Sequence, residues 1–272
     1  MKDKQSNQDS WNASAYSQFL DLRTRPARDL LSVIPSSFLP NTAYDLGCGP
    51  GNSTILLKQR WSDAQVIGID SSQDMLKTAQ ASYPGLEFSK MNIDNFAPSA
   101  KTDLIFANAS LQWLDNHALL IPKLIQSLNS GGVLAIQMPN NFHAPSHQVT
   151  LQILQDNVSW KPLLNNLRYG VLTEPFYQIS RYYDLLNKVG LSGVQVWETE
   201  YYQEMNNHQA VFNWVKGTGL RPILSAMDAE NQSLFAQAYV KAIKATYPVQ
   251  ANGKILLPFR RLFMVASSSA KP

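Results

Sequence analysis

The most constraining stretch of the chain is Tyr44-Asp45-Leu46-Gly47-Cys48-Gly49-Pro50-Gly51-Asn52-Ser53. An apolar run ends in an acid, breaks into three glycines spaced by two, and opens a helical pattern at Ile55, Leu56 and Leu57. Glycines let the backbone turn sharply and let a flat ligand press against the main chain. The helix that follows offers free N–H groups and a positive dipole end to whatever sits above it. The spacing is G-x-G-x-G with an acid two residues before the first glycine, whereas the dinucleotide fingerprint puts its third glycine one residue later. A bare strand-to-helix turn also satisfies this stretch, so the remainder of the chain has to decide.

The remainder has a βαβ rhythm. Residues 44–46 read as a strand and 52–60 as a helix. Residues 65–69 form a second strand ending in Asp70, and Ser71 with Asp74 reads as a variant capping box for the next helix, which Pro84-Gly85 stops. Strands follow at 86–91, 103–107 and 133–138, with a helix at 118–128 ended by Asn129 and Gly131-Gly132. This alternation predicts an α/β fold with a doubly wound, Rossmann-like sheet. Before it, Pro26 suits the first turn of a helix carrying Leu30, Leu31 and Ile34 on one face. After it come a helix at 177–189, a strand at 194–202, helices between 207 and 247 with a turn at Gly219-Leu220-Arg221-Pro222, and a closing strand at 255–266. Pro258 inside that strand argues for an edge or a bulge. The expected organisation is a disordered tail at 1–10, a helical cover at 11–40 and a Rossmann-like core at 41–139. Substrate-side helices with a helix and strand completing a seven-stranded sheet follow at 140–206, a helical lid at 207–250, and the closing strand and tail at 251–272.

Composition narrows the class. Over 272 residues, 44% are hydrophobic and 16% charged, as in globular proteins, and 23 basic against 20 acidic residues leave a net charge of +3. So mild and dispersed a charge argues against nucleic acid or a membrane surface as partner. The single cysteine excludes an intrachain disulfide and fits a reducing, cytoplasmic compartment. No apolar run approaches the roughly 20 residues of a membrane span. The four histidines are scattered, His143 and His147 being the nearest to metal-ligand spacing, so no metal is expected. The sequence specifies no oligomeric state.

Three acids fall at strand ends, where doubly wound sheets bind ligands: Asp45, Asp70 and Asp94. Asp70 is placed to accept both hydroxyls of a ribose and Asp94 to meet an adenine amino group. With the glycine-rich stretch, this order resembles the class I S-adenosylmethionine (SAM) methyltransferases. Past the fourth strand the resemblance narrows. Asn108-Ala109-Ser110-Leu111-Gln112-Trp113-Leu114 resembles the segment that lines the donor's sulfonium. Together with Arg23-x-Arg25-Pro26-Ala27, DLGCGPGNS, GIDSS, Gln137-Met138-Pro139, the GLRP turn and the closing LFMVA, the chain is similar to the trans-aconitate methyltransferase family from about Trp11 to Ala266.

The resemblance implies methyl transfer from SAM to a carboxylate, giving a monomethyl ester. It places the donor against Arg25, Asp45, Gly47, Gly49, Gly51, Asn52, Asp70, Ser71, Met75, Ile93, Asp94, Asn108, Ala109 and Trp113. The acceptor, a small polycarboxylate, is expected against Tyr16, Gln112, Trp113, Tyr177, Arg221 and Arg261. A carboxylate is already a nucleophile at pH 7, so no general base is required, and Cys48 between two glycines is needed only for its small size. A tricarboxylate calls for arginine forks. Among Arg168, Arg181, Arg221, Arg260 and Arg261, Arg221 stands out for its turn. One of Arg260 and Arg261 stands out because alternation turns just one of them inward. Two other readings stay open: a SAM enzyme acting on another small acid or a carrier-bound acyl ester, and a SAM-binding protein without catalysis.

Overall fold

The computed structural model describes residues 20–166, 179–217 and 219–268, with side chains from residue 24 onward. The chain opens with helix α1 (Leu20–Val33). There follow β1 (Thr42–Leu46), α2 (Asn52–Arg60), β2 (Gln65–Asp70), α3 (Gln73–Ser82), β3 (Glu87–Lys90), β4 (Thr102–Asn108), α4 (His117–Gln126) and β5 (Leu128–Pro139). The second half comprises α5 (Pro145–Asp156), α6 (Ile179–Lys188), β6 (Leu191–Met205), α7 (His208–Lys216), α8 (Arg221–Leu224), α9 (Ala229–Ile243) and β7 (Ile255–Ser268). Short 3-10 turns stand at Ile93–Asn95, Leu111–Trp113 and Lys161–Asn166.

The strands make one seven-stranded mixed sheet in the order β3-β2-β1-β4-β5-β7-β6. The pairs β1·β2, β1·β4, β2·β3 and β4·β5 are parallel. The chain runs outward from β1 to β3 and then crosses back to β4, so the switch point, where such sheets bind ligands, lies between β1 and β4. Central strands covered on both faces should be apolar throughout. Leu104, Ile105, Phe106 and Ala107 of β4 and Leu134, Ala135 and Ile136 of β5 are accordingly sealed from solvent. Leu57 of α2, Ala79 of α3 and Ile121 and Leu124 of α4 close over the sheet.

Two compact units can be separated. Described residues to 138, 179–197 and 262–268 form the first, and 139–166, 198–217 and 219–261 the second. The division differs from the sequence expectation in grouping 139–166 with the helices after 207. Within the second unit, polar contacts in an apolar setting tie α5 and the turn after it to α9 and the turn after it. The Tyr239 hydroxyl donates to the Ser146 carbonyl at 3.0 Å, the Ser146 amide to the Tyr247 hydroxyl at 3.1 Å, and Trp160 Nε1 to Asn231 Oδ1 at 2.9 Å. His147 is half-buried here, its ring against Phe142 and its charged form disfavoured by desolvation down to a pKa of about 4, while His143 is exposed.

Several local expectations are corrected. Pro26 lies inside α1 and not in its first turn. The cap of α3 is Ser72, which accepts the Met75 amide, because Ser71 faces the crevice described below. Gly131-Gly132 lies inside β5. The register shifts between Thr102 and Leu104 opposite it, so the glycines form a bulge, with Gly131 at φ 75°. Arg221 opens the short helix α8, with Pro222 as its next residue, and is not in a bare turn. Pro258 is on β7, which is not an edge strand. The Asn140 amide meets the Arg260 carbonyl just past the end of β5, so β5 asks no N–H of Pro258.

Arg60 at the end of α2 holds α1 in place. Its guanidinium donates to the carbonyls of Leu31 in the last turn of α1 and of Ile34 and Pro35 just past it, and burial lowers its pKa. Arg60→Met should therefore lower unfolding stability by about 1–3 kcal/mol through the loss of these charge-assisted hydrogen bonds, read as a lower urea midpoint at unchanged slope.

Candidate active site

The site is built on the loop after β1. Gly47 has φ 71°, and a Cβ there would lie 2.4 Å from the Cβ of Ser110, so only glycine lets this turn sit against the turn after β4. Ser110 Oγ reaches back to donate to the Leu46 carbonyl at 2.6 Å. The amides of Gly47 and Cys48 both donate to the Ile69 carbonyl at the end of β2. Asp70 then joins the loops: its Oδ2 accepts the Gly49 amide at 2.9 Å and its Oδ1 the Ser72 amide at 2.8 Å. Burial raises its pKa, and those backbone N–H groups work against the rise. Each carboxylate oxygen keeps a lone pair for a further donor, which suits a diol.

A crevice enclosing about 690 Å³, part of it open to solvent, lies over this loop. Gly47, Gly49, Pro50, Asp70 and Ser71 form its polar wall, and Met75, Met91, Ile93, Trp113 and Leu114 its apolar one, with Asn92, Ala109 and Ser110 between. A flat base with a sugar needs this pairing of apolar faces with a few placed polar groups. A smaller, more polar hollow on the other side of the loop is lined by Thr24, Ala27, Cys48, Asn52, Ser53 and Asn108, among others. Asp45 is fully buried beneath it. The hydroxyls of Ser53 and Thr54 donate to its Oδ2 at 2.7 Å each, while its Oδ1 has no hydrogen-bond partner among the described residues. Burial raises Asp45 from 3.8 to about 6 against those hydroxyls, with Asp70 adding repulsion. Cys48 is buried, and burial together with Asp45 and Asp70 pushes its thiol well above the ordinary value.

A methyltransferase-domain family model matches residues 43–132. Trans-aconitate 2-methyltransferases of Escherichia coli K12 and Shigella flexneri are each 46% identical over 258 residues, covering 94% of this chain and 97% of the relative. The chain belongs to the trans-aconitate 2-methyltransferase family. Two solved structures agree in fold. Phosphoethanolamine N-methyltransferase 2 of Haemonchus contortus, in complex with S-adenosyl-L-methionine, has a TM-score of 0.57 and 13% identity over 94% of this chain and 56% of that one. The YcgJ protein of Bacillus subtilis has a TM-score of 0.54 and 12% identity over 93% and 99%.

In this member of the trans-aconitate 2-methyltransferase family, the residues singled out from sequence are distributed as follows. Gly47, Gly49, Asp70, Ser71, Met75, Ile93, Ala109 and Trp113 line the crevice, and Asn52 and Asn108 the hollow. Asp45 lies below both, and Gly51 backs onto the Tyr83 and Phe88 rings. Arg25 does not line either space: it is exposed and pairs with Asp29 at 3.9 Å, while its neighbour Thr24 faces the hollow. Asp94 is exposed at the rim, and Asn92 and Ile93 line the wall in its stead. Gln112 donates from Nε2 to the Ala109 carbonyl at 2.6 Å. Arg221, half-buried and lowered in pKa by burial, belongs to the second unit, as does Arg261, buried with its guanidinium 4.5 Å over the Phe259 ring. Arg260 is exposed and bonds Glu200 at 3.0 Å. Tyr16 and Tyr177 lie outside the described residues. Thr24, Met91 and Asn92 were not singled out from sequence, and Ala27, Pro50, Ser110 and Leu114 stood in the quoted motifs without a role of their own. Spacing three apart on α1 already put Thr24 and Ala27 on one face.

Two outcomes follow from this geometry. Gly47→Ala adds positive-φ strain and a clash with Ser110, and should cost about 3 kcal/mol in urea unfolding. Asp45 has a folded pKa above its unfolded one, so its stabilising contribution is complete below the unfolded value near 3.8 and is lost as pH rises through about 6. The stability of Asp45→Asn relative to the parent should therefore improve by up to about 3 kcal/mol between pH 4 and pH 7. A pH-independent difference in urea midpoints would place the carboxyl in a less buried setting.

Proposed function

We propose that this chain transfers a methyl group from S-adenosylmethionine to a carboxylate of trans-aconitate, giving a monomethyl ester and S-adenosylhomocysteine. The observation that carries the donor half is Asp70, a carboxylate fixed by two backbone amides on the wall of a crevice with apolar faces, with lone pairs left for a diol. The residues present fit the donor. Asn92 and Ile93 offer an edge to the base, Met75 and Trp113 its apolar faces, and the smaller hollow, with the Asp45 carboxyl beneath it, suits an amino-acid ammonium. Bound there, S-adenosylmethionine supplies a methyl group on a cationic sulfur.

The protein's task is then positional. A carboxylate oxygen lone pair forms the O–C bond, the C–S bond breaks with its pair left on sulfur, and no proton moves. Anion and cation cancel along this path, so a dry, low-dielectric setting favours it, and no acid or base residue is needed. Arg221 and Arg261 supply forks for the carboxylates that do not react. A tight ion pair on the reacting carboxylate would blunt its lone pair. The second unit, with these arginines, is read as the acceptor-recognising part, and the enzyme as a cytoplasmic one.

Radiolabel transfer from S-adenosylmethionine to a panel of di- and tricarboxylic acids tests the reading. Trans-aconitate should have the highest kcat/KM, and transfer only to a different acid or to an acyl ester would replace it as substrate. Arg221→Gln and Arg261→Gln should raise the acceptor KM at least about tenfold, the worth of a charged hydrogen bond, with donor affinity scarcely changed. Asp70→Asn should do the reverse, weakening the donor in isothermal titration.

A further inference from the structure

A row of polar side chains, Asp45 and Gln137 buried and Asn108 half-buried between them, crosses the carboxyl ends of three neighbouring strands. Asp45 of β1 is in register with Phe106 of β4, and Asn108, two residues on, is in register with Gln137 of β5. Register partners in a parallel sheet share a face, as do residues two apart, so Asp45, Asn108 and Gln137 share one. Asp45 Oδ1, Asn108 Oδ1 and both Oε1 and Nε2 of Gln137 have no hydrogen-bond partner among the described residues. Gln137 is fully buried. Leaving a buried amide wholly unpaired is destabilising, and a hydrophobic residue at the same place would not carry that cost.

The sheet order says what completes it. Asp70, Asp45, Asn108 and Gln137 stand on β2, β1, β4 and β5, four strands side by side. At about 4.8 Å per strand, Gln137 is about 14 Å along the sheet edge from the acid assigned to the ribose. On the proposed function the donor would span β2 to β4, from the crevice to the hollow that Asn108 lines. Gln137 is one strand beyond, on the side away from the sugar. Its backbone also fixes the adjoining turn, because its carbonyl accepts the amide of Ala109, which adopts φ 52°.

We infer that Gln137 is the acceptor-binding residue that holds the reacting carboxylate, on the reading that the acceptor is a carboxylic acid. Its Nε2–H donates to one carboxylate oxygen and so directs the other, lone pair free, toward the methyl carbon. A neutral amide suits this place better than arginine. It orients the anion without stabilising the charge that the reaction removes. The oxygen that attacks becomes the ester oxygen, and the oxygen held by Gln137 becomes the carbonyl, which still accepts the bond.

Gln137→Met keeps length and volume and removes the amide. The unliganded variant should melt at least as high as the parent, because an orphaned polar group is gone. Donor affinity by isothermal titration should stay within about twofold, while kcat/KM for the acceptor falls about 10- to 100-fold, the range for a hydrogen bond to a charged group. Gln137→Glu should bind donor and lose acceptor turnover further by repulsion. An unchanged kcat/KM in Gln137→Met overturns the assignment, as does a weakened donor with a lowered melting point, which marks a structural role. A parent protein that methylates no carboxylic acid at all overturns the functional reading itself, and the assignment with it.

Discussion

The site depends on one close approach, that of the Gly47 backbone to the side chain of Ser110. A turn in the left-handed region, without a Cβ, lets the loop after β1 touch the turn after β4, and the Ser110 hydroxyl closes the contact on the Leu46 carbonyl. The crevice and the hollow lie on either side of this contact, and Gly47 and Ala109 line both. Asp70 ties in the third loop through the Gly49 and Ser72 amides. Three strand ends are thus fixed relative to one another before any ligand arrives, which is how a fold cuts the entropy cost of ordering a site on binding.

Electrostatics adds a second layer. Two carboxylates, Asp45 and Asp70, are held in partial or complete burial with little cationic company in the same loops, and each is raised in pKa by that burial. A protein gains nothing by itself from such an arrangement, since buried charges need compensation. It makes sense as a socket for a cation and for hydroxyl donors. Arg221 and Arg261 lie in the second unit.

Much of this was legible in the sequence, and the misses have physical reasons. The glycine spacing and Asp70 could be read because backbone turns and strand ends leave local signatures. The exchange of Arg25 for Thr24 was not read, although helical geometry turns adjacent residues by 100° and puts Arg25 over Asp29. Asp94 and Asn92 differ by two residues in a 3-10 turn, whose direction no periodicity reveals. For Arg260 and Arg261, strand alternation required one inward residue, but only packing against Phe259 says which. The row Asp45–Asn108–Gln137 was invisible, because register between strands far apart in sequence is a tertiary fact. Pro258 misled for the same reason: whether a strand needs an N–H depends on where its neighbour ends.

Cys48 carries a practical consequence. It is the chain's single cysteine, buried in the loop, and its thiol is kept protonated by burial and by two nearby acids. Alkylating reagents attack the thiolate, so the native protein is close to chemically silent toward them. A cysteine placed on any exposed residue then becomes the one reactive sulfur in the molecule. Fluorophores or spin probes can be attached one at a time without first stripping the chain of its own thiol, and release of the Cys48 sulfur to a reagent would itself report that the loop has opened.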